Sequence, residues 1–494
     1  MINEFNGKKV LIVGLGILGG GVATAKWFVR EGARVTVTDL RRRIDLVDSI
    51  KKLGQARRRI LFVLGKHRLA DLKSNDVVVV NPAVPRESVF LKAARDADKT
   101  ITNDAGIFFD IVKNPIIAVT GTRGKTTTSN WIGHFLAGKH QEIIVGGNTP
   151  EMPLLDLIDK LPSRSTPVVL ELSSWQLELI YKSRYAPDVA VITNIYRDHL
   201  NRYSSMRDYV LAKANIFKKQ LPTQKLVLNY DNSWTDLFLK QKPRSDTYFF
   251  SNYRLPLKAN GLSVDHNGVF FQNNGVRTRI LGSGIIKQFS IREGNHGVSN
   301  LLAAMLASYL AGVDWSSIIR RIKTLSRPIY REQVIMENKL FTVINDSAAT
   351  SPDATLVAIQ KLAGPVSGVG SRSNLILIAG GTDKKLDFTE WAKNVKKHIF
   401  ISNLFLLNGS ATRKMIVALS RLRYFDNTNP QLFEDLQKLL KTLRKNINNR
   451  LGDSKKRNNI SILFSPGAAS FEKFKNEFDR GRQFTIYSKQ LFKK

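Results

Sequence analysis

The 494-residue sequence predicts an α/β protein with three domains. Three observations support this fold class. Continuous apolar runs alternate with helix-compatible stretches, the alternation occurs in three separate parts of the chain, and a polar connector that contains proline, LSRPIYREQ, precedes the last part. Buried apolar strands separated by helices are typical of parallel sheets covered on both faces. We therefore expect domains at 1–112, 113–326 and 327–494.

The first domain opens with the strand KKVLIVG, a helical stretch, VATAKWFVREG, and a second strand, RVTVTD. Gly14, Gly16 and Gly19 form a G-x-G-x-x-G pattern, and Asp39 lies 20 residues beyond Gly19. Such glycines let the backbone approach a phosphate, and such an acid meets a ribose hydroxyl. The pattern indicates a nucleotide site. It favours NAD only weakly, because nothing further along the chain resembles a hydride-transfer site.

The second domain contains AVTGTRGKTTTSN, a strand that leads into a glycine-rich turn and a helix. Gly121 and Gly124 allow backbone N–H groups to face an anion, and Lys125 adds a positive charge. The Thr126 hydroxyl can reach Mg²⁺. The spacing differs from the ordinary P-loop, because no glycine stands five positions before Gly124. This stretch, which we call the lysine loop (121–127), predicts a phosphate site; the alternative is a plain strand-to-helix turn.

Polar residues follow the later strands of the second domain. They are Glu171, Asn194, Asp198 and His199. Ligands of open α/β sheets gather at the carboxyl ends of strands, so we expect these side chains to converge on the lysine loop. From 247 to about 285, short alternating runs and Asn-Gly pairs at 260–261, 267–268 and 274–275 predict antiparallel hairpins.

The third domain repeats the α/β pattern in FTVIND, NLILIAGG, HIFISNLFLLNG and NISILFSPG. The absence of cysteine excludes disulfides, thiolate zinc sites and cysteine nucleophiles. No apolar run approaches the length of a membrane span, and MINEFNGKKVLIVG lacks the features of a secretion signal. We expect a cytoplasmic protein with no transmembrane segment.

The net charge is +35, from 76 Lys and Arg against 41 Asp and Glu. Such an excess attracts polyanions of every kind. The basic clusters at 41–43, 56–59 and 441–458 have no interleaved aromatic residues. We interpret the charge as a general basic bias spread over solvated faces, and we expect no specific nucleic-acid partner.

Several blocks of the sequence resemble those of the Mur ligases. GTRGKTT is similar to the family loop G-T-N-G-K-[ST]-T, and ELSSWQLE is similar to ELSSFQLE, the signature of the member that adds D-glutamate. Further similar blocks are TNIYRDHLNRY, YVLAKANIF, NDSAATS, AGGTDKKLDF and LFSPGAASFEKFKNEFDRG. They stand in the family order from about residue 8 to about residue 485.

This resemblance implies an ATP-dependent amide ligase of peptidoglycan precursor synthesis, with UDP-N-acetylmuramoyl-L-alanine and D-glutamate as substrates. The L-alanine carboxylate would attack the γ-phosphate of ATP, and the D-glutamate amine would then displace phosphate from the acyl phosphate. The implied architecture is a Rossmann-like UDP-binding domain, a P-loop-type central ATPase domain with an added antiparallel sheet, and a Rossmann-like C-terminal domain. We expect a monomer whose domains close around the substrates.

The resemblance also implies roles for individual residues. Catalysis would depend on Lys125, His199, Lys213 and Asp346. ATP would contact Gly121, Thr122, Arg123, Gly124, Lys125, Thr126, Thr127, Asn300, Arg331 and Asp346. The UDP-substrate would contact Gly14, Ile17, Leu18, Asp39, Arg41, Asn81, Asn148 and His199, and D-glutamate would contact Thr350, Lys384 and Ser470. Two Mg²⁺ ions would be held by Thr126, Glu171, His199 and Lys213, with Lys213 carbamylated. The structural alternatives are a surface helix lysine for Lys213 and a helix cap for Ser470.

The sequence departs from the family pattern at several positions. Arg123 replaces the loop asparagine, Gly297 replaces an asparagine in G-x-H-N-x-x-N, and Gln333 replaces a glutamate in HRxE. Ala348 replaces a lysine in the block NDSKATN, which removes a charge near the transferring phosphate or the incoming amino acid. We hypothesise that Arg123 or Lys384 supplies this charge; the alternative is slow or altered chemistry.

Three other functions fit part of the sequence. A sibling ligase, such as the folylpolyglutamate type, shares the lysine loop but not the N-terminal glycine pattern or ELSSWQLE. A nucleotide-binding paralogue that has lost ligation would suit the departures. A basic P-loop protein that binds nucleic acid predicts steeply salt-dependent binding. In KNEFDRG the residue Phe478 is shifted by one position, so its stacking at the D-glutamate pocket is not carried over.

Overall fold

The computed structural model describes residues 4–17, 19–148, 152–200, 202–326, 329–363, 374–426, 428–453 and 460–492. The chain forms two compact units, 1–325 and 326–494. The described residues form two sheets in the first unit and one in the second, which confirms the predicted α/β class. The expected boundaries between the three domains stay predictions. Among the described residues, no helix is long and apolar enough to cross a membrane.

The first sheet is entirely parallel. Its elements are β1 (Lys9–Val13), α1 (Gly20–Arg30), β2 (Arg34–Asp39), α2 (Val47–Lys52), β3 (Ile60–Leu64), α3 (Leu69–Ser74), β4 (Val77–Val80), α4 (Val89–Asp96), β5 (Thr100–Thr102) and α5 (Asp104–Ile111). The strand order is β3-β2-β1-β4-β5. The order reverses between β1 and β4, and ligands of such sheets bind at this switch point, outside the carboxyl ends of the strands.

The second sheet has nine strands. Its elements are β6 (Ile116–Thr120), α6 (Lys125–Leu136), β7 (Ile144–Gly147), α7 (Leu154–Ile158), β8 (Val168–Glu171), α8 (Ser174–Leu177), β9 (Val189–Ile192), α9 (Met206–Ala214), β10 (Lys225–Asn229), α10 (Thr235–Leu239), β11 (Asp246–Ser251), β12 (Gly261–Asp265), β13 (Gly268–Asn273), β14 (Val276–Gly282), α11 (Ser283–Leu310) and α12 (Trp315–Ile322). The strand order is β14-β13-β12-β11-β10-β9-β6-β8-β7. Strand β6 lies in the interior of the sheet between β9 and β8, so the lysine loop that follows it is flanked by the loops after those two strands.

The antiparallel strands continue this sheet rather than forming a separate one. The turns at 267–268 and 274–275 connect antiparallel neighbours, as predicted. The hairpin predicted at 260–261 is wrong, because β11 and β12 pair in parallel. A Cβ on Gly261 would lie 1.8 Å from the carbonyl oxygen of Phe249, so this glycine serves a close approach of two backbones.

The third sheet lies in the second compact unit. Its elements are β15 (Gln333–Glu337), β16 (Phe341–Asn345), α13 (Pro352–Ala363), β17 (Leu375–Ala379), α14 (Thr389–His398), β18 (Leu404–Leu407), α15 (Ser410–Arg421), β19 (Gln431–Phe433), α16 (Leu436–Asp453), β20 (Ile460–Phe464) and α17 (Glu477–Phe492). The strand order is β15-β16-β20-β17-β18-β19, and only the edge strand β15 runs antiparallel to its neighbour. Strands β16, β20 and β17 lie side by side in the interior of the sheet, so the polar loops after them meet at one edge.

Candidate active site

The lysine loop joins the carboxyl end of β6 to the first turn of α6. Gly121 has φ 149° and Gly124 has φ 79°. A Cβ on Gly121 would lie 1.9 Å from Thr193 Oγ1, and a Cβ on Gly124 would lie 2.2 Å from Asn300 Oδ1. Both positions therefore require glycine, because the backbone has a positive φ and a neighbouring side chain leaves no room for a Cβ.

Lys125 is the first residue of α6. Its Nζ donates hydrogen bonds to the carbonyl oxygens of Gly121 at 3.1 Å and Thr122 at 3.2 Å, so its ammonium group folds over the loop. The backbone N–H of Arg123 donates to Asn194 Oδ1 at 2.8 Å, which anchors the loop to the residues after β9. A cation held at a helix N-terminus suits the phosphates of a nucleotide.

Glu171 ends β8 and is 5% exposed. Within the described residues its Oε2 has no hydrogen-bond partner, and its Oε1 lies 3.5 Å from Asn148 Nδ2. A buried carboxylate oxygen without a partner is costly, and it is the kind of ligand that Mg²⁺ prefers. No three His, Asp or Glu side chains of the described residues form a metal-holding group, so a cation here would need ligands of other types.

His199 lies in the turn after β9 with φ 55°, a left-handed conformation that non-glycine residues rarely adopt. Its ring centroid lies 5.5 Å from that of Trp175 and 5.6 Å from that of Tyr209. Its Nε2 lies 4.0 Å from Asp198 Oδ2, which also accepts a hydrogen bond from Arg123 Nη1 at 3.1 Å. Asn194 and Asp198 therefore hydrogen-bond to the lysine loop, and His199 lies beside Asp198.

Lys213 is 1% exposed in α9, so it is not a surface helix lysine. Its Nζ donates hydrogen bonds to the carbonyl oxygen of Gly121 at 2.9 Å and to Thr120 Oγ1 at 3.3 Å. Burial lowers the pKa of Lys213 well below its usual value, and the nearby Lys125 ammonium lowers it further. The neutral form of this amine is therefore more populated than that of an exposed lysine.

The N-terminal glycine loop, Asp39 and Asn81 lie together at the ends of β1, β2 and β4. Gly14 has φ 91° and Gly16 has φ 64°. A Cβ on either glycine would lie 3.1 Å from the Asn81 side chain. Asp39 is 3% exposed and accepts hydrogen bonds from the backbone N–H groups of Gly16 at 3.1 Å and Arg41 at 2.9 Å. Asp39 therefore holds the conformation of the glycine loop through these hydrogen bonds. The ligand contact expected of it stays a prediction.

The remaining residues of this loop differ in how far the structure describes them. Ile17 is 44% exposed, and Leu18 lies outside the described residues. Gly21 was not predicted as a site residue, yet a Cβ added to it would lie 2.3 Å from the carbonyl oxygen of Leu15. The run of glycines at 19–21 contained the signal, but the G-x-G-x-x-G spacing selected Gly19 instead.

Asp346 follows β16 and is 6% exposed. Its Oδ2 accepts a hydrogen bond from Ser465 Oγ at 2.7 Å, and its Oδ1 accepts one from the backbone N–H of Glu332 at 3.1 Å. Burial raises the pKa of Asp346 to about 7. The segment that contains Arg331 therefore meets the carboxyl ends of β16 and β20 at this carboxylate.

The residues expected to bind D-glutamate lie on neighbouring loops of the same unit. Lys384 Nζ donates a hydrogen bond to Thr350 Oγ1 at 3.3 Å. Ser470 is 2% exposed, and its Oγ has no hydrogen-bond partner among the described residues. The helix-cap alternative for Ser470 is therefore wrong, since a cap would accept from a backbone N–H. Backbone hydrogen bonds between Thr382 and Ala469 hold the Lys384 and Ser470 loops together.

Arg480 is a residue that the sequence analysis missed. It is 1% exposed in α17, and its Nε and Nη2 donate to the Oγ and the carbonyl oxygen of Ser347 at 3.1 and 2.8 Å. Its Nη1 donates to the carbonyl oxygens of Ala468 at 3.0 Å and Ala469 at 3.1 Å. This guanidinium therefore joins the loop after β16 to the loop after β20. Nothing in the pattern of the block FDRG distinguishes it from a surface arginine.

Comparisons with known proteins match most of the first unit to domain models of one family. A model of the Mur ligase middle domain matches residues 119–308, and a model of the MurD-like N-terminal domain of Mur ligases matches residues 8–103. A UDP-N-acetylmuramoylalanine--D-glutamate ligase of Borreliella afzelii is 33% identical over 98% of both chains. One of Roseiflexus is 35% identical over 97% of this chain and 98% of its own.

Solved structures show the same fold. UDP-N-acetylmuramate-alanine ligase of Thermotoga maritima aligns with a TM-score of 0.55 at 19% identity, over 98% of this chain and 99% of its own. MurF of Acinetobacter baumannii aligns with a TM-score of 0.54 at 16% identity, over 86% of this chain and 87% of its own. Fold and loops together define a nucleotide-binding α/β protein with a lysine loop and a glycine-rich loop after the first strand of its N-terminal sheet. With its full-length relatives, this chain belongs to the Mur ligase family.

Proposed function

We propose that this chain is an ATP-dependent ligase that joins D-glutamate to UDP-N-acetylmuramoyl-L-alanine in peptidoglycan precursor synthesis. The observation that carries the proposal is the identity of 33% and 35% to two ligases of that name over nearly the whole length of both chains. The ELSSWQLE block, which resembles the signature of the D-glutamate-adding member, supports the same amino acid. Because ATP and UDP-sugars are intracellular metabolites, we place the reaction in the cytoplasm, and we expect a monomer.

Two displacements complete the reaction. A carboxylate oxygen of the L-alanine forms a bond to the γ-phosphorus as the bond to ADP breaks. The D-glutamate nitrogen then forms a bond to the acyl carbon, loses a proton, and inorganic phosphate leaves. All reactants are anions, so charge neutralisation and positioning supply most of the acceleration.

We infer that the first unit binds the triphosphate at the lysine loop. Lys125 would neutralise charge on the β- and γ-phosphates, and the backbone N–H groups of 121–127 would turn toward them. The Asn300 side chain of α11 lies against Gly124. A nucleotide bound at the loop would therefore meet α11 at Asn300. Arg331 and Asp346 belong to the other unit, and their contact with the same ATP stays a prediction.

The residues at the loop fit Mg²⁺, because the buried Oε2 of Glu171 has no protein partner among the described residues. Thr126, Glu171, His199 and a carbamylated Lys213 would hold the ions, which when bound neutralise phosphate charge. Carbamylation would turn the buried Lys213 amine into an oxygen ligand. Its burial and its hydrogen bond to Gly121 support that role, since an ammonium at this position would repel both a cation and Lys125.

We infer that the UDP end of the substrate binds the N-terminal loop cluster of Gly14, Ile17, Asp39, Arg41 and Asn81, and Leu18 belongs to the same proposal. Asn148 and His199 would lie along the path to the reacting carboxylate. In the second unit, Lys384, Thr350 and Ser470 would hold the D-glutamate carboxylates, for which a cation and two hydroxyls are suited. The Oγ of Ser470, which has no hydrogen-bond partner in the described part of the chain, supports this assignment.

One observation favours a second candidate, a paralogue that binds nucleotide and UDP-sugar without ligating. Ala348 stands where the family carries a lysine and brings no charged group, while its backbone N–H donates a hydrogen bond to the carbonyl oxygen of Tyr330 at 3.0 Å. Such a protein would bind ATP and the UDP-sugar but release no phosphate even when D-glutamate is also present.

The deciding experiment measures phosphate release by the purified protein with ATP, Mg²⁺, UDP-N-acetylmuramoyl-L-alanine and D-glutamate, omitting one component at a time. We expect release only with the complete mixture, and a product whose mass is that of the UDP-sugar dipeptide. Binding of ATP and UDP-sugar without product would support the paralogue. Product from a different amino acid would correct the specificity and retain the reaction class.

A further inference from the structure

A buried ion pair supports the turn that carries His199. Arg202 Nε and Nη2 donate to Glu178 Oε1 at 2.9 Å and Glu178 Oε2 at 2.8 Å, and the two side chains are 7% and 8% exposed. The hydroxyl of Tyr203 donates to the same Oε1 at 2.8 Å. Glu178 therefore receives three hydrogen bonds from two consecutive residues of the turn.

The turn needs external support because its backbone is strained. His199 has φ 55°, and its carbonyl oxygen accepts hydrogen bonds from the backbone N–H groups of Arg202 at 2.9 Å and Tyr203 at 3.0 Å. A left-handed conformation at a non-glycine residue persists only where its surroundings fix it, and such strain is concentrated at functional sites. The residues that close this turn are the two that Glu178 holds.

Arg202 of the same pair also contacts the tryptophan beside the His199 ring and a loop of the N-terminal sheet. The Arg202 guanidinium lies 4.7 Å from the centroid of the Trp175 ring, and the centroid of the His199 ring lies 5.5 Å from that of the same tryptophan. Arg202 Nη2 also donates to the carbonyl oxygen of Val84 at 3.2 Å, in the loop that follows Asn81. One guanidinium thus connects the turn, the tryptophan beside the histidine, and the loop expected to bind the UDP end.

We propose that Glu178 is a positioning residue, which through Arg202 and Tyr203 holds the His199 imidazole in the orientation that ligation requires. The proposal deepens the proposed function and rests on it for the role of His199. A pair that served only the fold would lower stability when broken and would leave the histidine ring where it is.

The test compares two conservative variants of the full chain. Glu178→Gln keeps the size of the side chain and removes its charge. The control, Asp265→Asn, makes the same kind of change at a partly buried pair between β12 and β14, where Asp265 Oδ2 lies 2.7 Å from Arg277 Nη2. Ring-¹³C histidine spectra report on the imidazole directly, with the His199 signal assigned by its loss in His199→Gln.

We expect Glu178→Gln to shift or broaden the His199 signal, whereas Asp265→Asn leaves the His199 signal in place and affects at most the signal of the neighbouring His266. In turnover assays kcat should fall by at least about tenfold in Glu178→Gln, with the KM for ATP within about twofold, as misplacement of a reacting group predicts. An unchanged His199 signal together with reduced thermal stability would overturn the proposal, and so would an unchanged kcat.

If Glu178→Gln does not fold, Arg202→Lys is the second variant, because it keeps the charge and loses the two parallel hydrogen bonds. The same shift of the His199 signal is expected, and its absence overturns the proposal. The spectra do not depend on turnover. A wild-type chain that fails to ligate would contradict the proposed function, while the His199 signal would still decide whether Glu178 positions the ring.

Discussion

Lys125 and Lys213 donate to the same atom, the carbonyl oxygen of Gly121, at 3.1 and 2.9 Å. Two ammonium groups at one oxygen repel each other, and Lys213 is also buried. The two lysines therefore cannot share one role. Lys125 heads α6 and suits the phosphates, while Lys213 has the environment of an amine that is easily neutralised or modified.

Replacement of Lys213 should separate stability from activity. Lys213→Met keeps an unbranched side chain only one atom shorter and removes an amine that burial disfavours, so we expect a melting temperature equal to or above that of the wild type. Turnover should fall by at least about a hundredfold, because an oxygen ligand of the metal site would be lost. Thermal melting and phosphate release measure the two effects. A variant that melts lower and retains turnover would show that Lys213 is only structural.

Gly124 and Gly275 offer a matched pair for the lysine loop. Their φ values are 79° and 80°, but a Cβ on Gly124 would lie 2.2 Å from Asn300 Oδ1, whereas a Cβ on Gly275 meets nothing within 4 Å. Either change to alanine should cost about 1–2 kcal/mol of unfolding free energy from backbone strain. Only Gly124→Ala should also weaken ATP binding, because Asn300 must move. Equal ATP affinity of the two variants, measured by calorimetry, would contradict this.

The sequence allowed prediction of those features that are local in the chain. The lysine loop, the glycine pattern of the first strand and two of the three hairpin turns depend on residue types at fixed spacing. Gly261 was misinterpreted because an Asn-Gly pair has the same pattern whether it turns a hairpin or lets two parallel strands approach. The sequence carries the pair, but the choice between the two depends on which strands become neighbours.

Most buried charges could not be predicted from residue patterns. Arg480 and Arg202 look like surface residues in a chain with 76 Lys and Arg, whereas Lys213 was singled out only by the resemblance of its block to the family. Their roles follow from hydrogen bonds to residues distant in the chain, such as those of Arg480 to Ser347 at separations of 133. No periodicity encodes such pairs, since they arise only when the sheets are assembled.

The charge missing at Ala348 is a test of compensation. Lys384 donates a hydrogen bond to Thr350, which is two residues from Ala348. Arg123, in contrast, donates a hydrogen bond to Asp198 at the lysine loop. We therefore expect Lys384, rather than Arg123, to supply the charge. Turnover should fall by at least about a hundredfold in Lys384→Met and recover in part when Ala348→Lys is added. Recovery of Arg123→Asn by Ala348→Lys, with no recovery of Lys384→Met, would reverse the assignment.

Asp346 should make the stability of the protein depend on pH. Its pKa in the folded chain is about 7, above the ordinary value of 3.8, because burial disfavours the carboxylate. The folded state therefore holds this proton more tightly than the unfolded state. The resulting stability is fully present below about pH 4 and is lost as the pH rises to 7, with each pKa unit worth about 1.4 kcal/mol.

Asparagine mimics the protonated acid, so Asp346→Asn removes this dependence. We expect the variant to melt above the wild type by a margin that is small near pH 4 and grows until about pH 7, and at pH 8 the folded wild type must bury a carboxylate. The same reasoning applies in the first unit to Asp104, whose pKa burial raises to about 6. Melting curves between pH 5 and 8 measure the difference. A gap between variant and wild type that stays constant across this range would show that Asp346 is ionised throughout, held by its hydrogen bonds from Ser465 and Glu332.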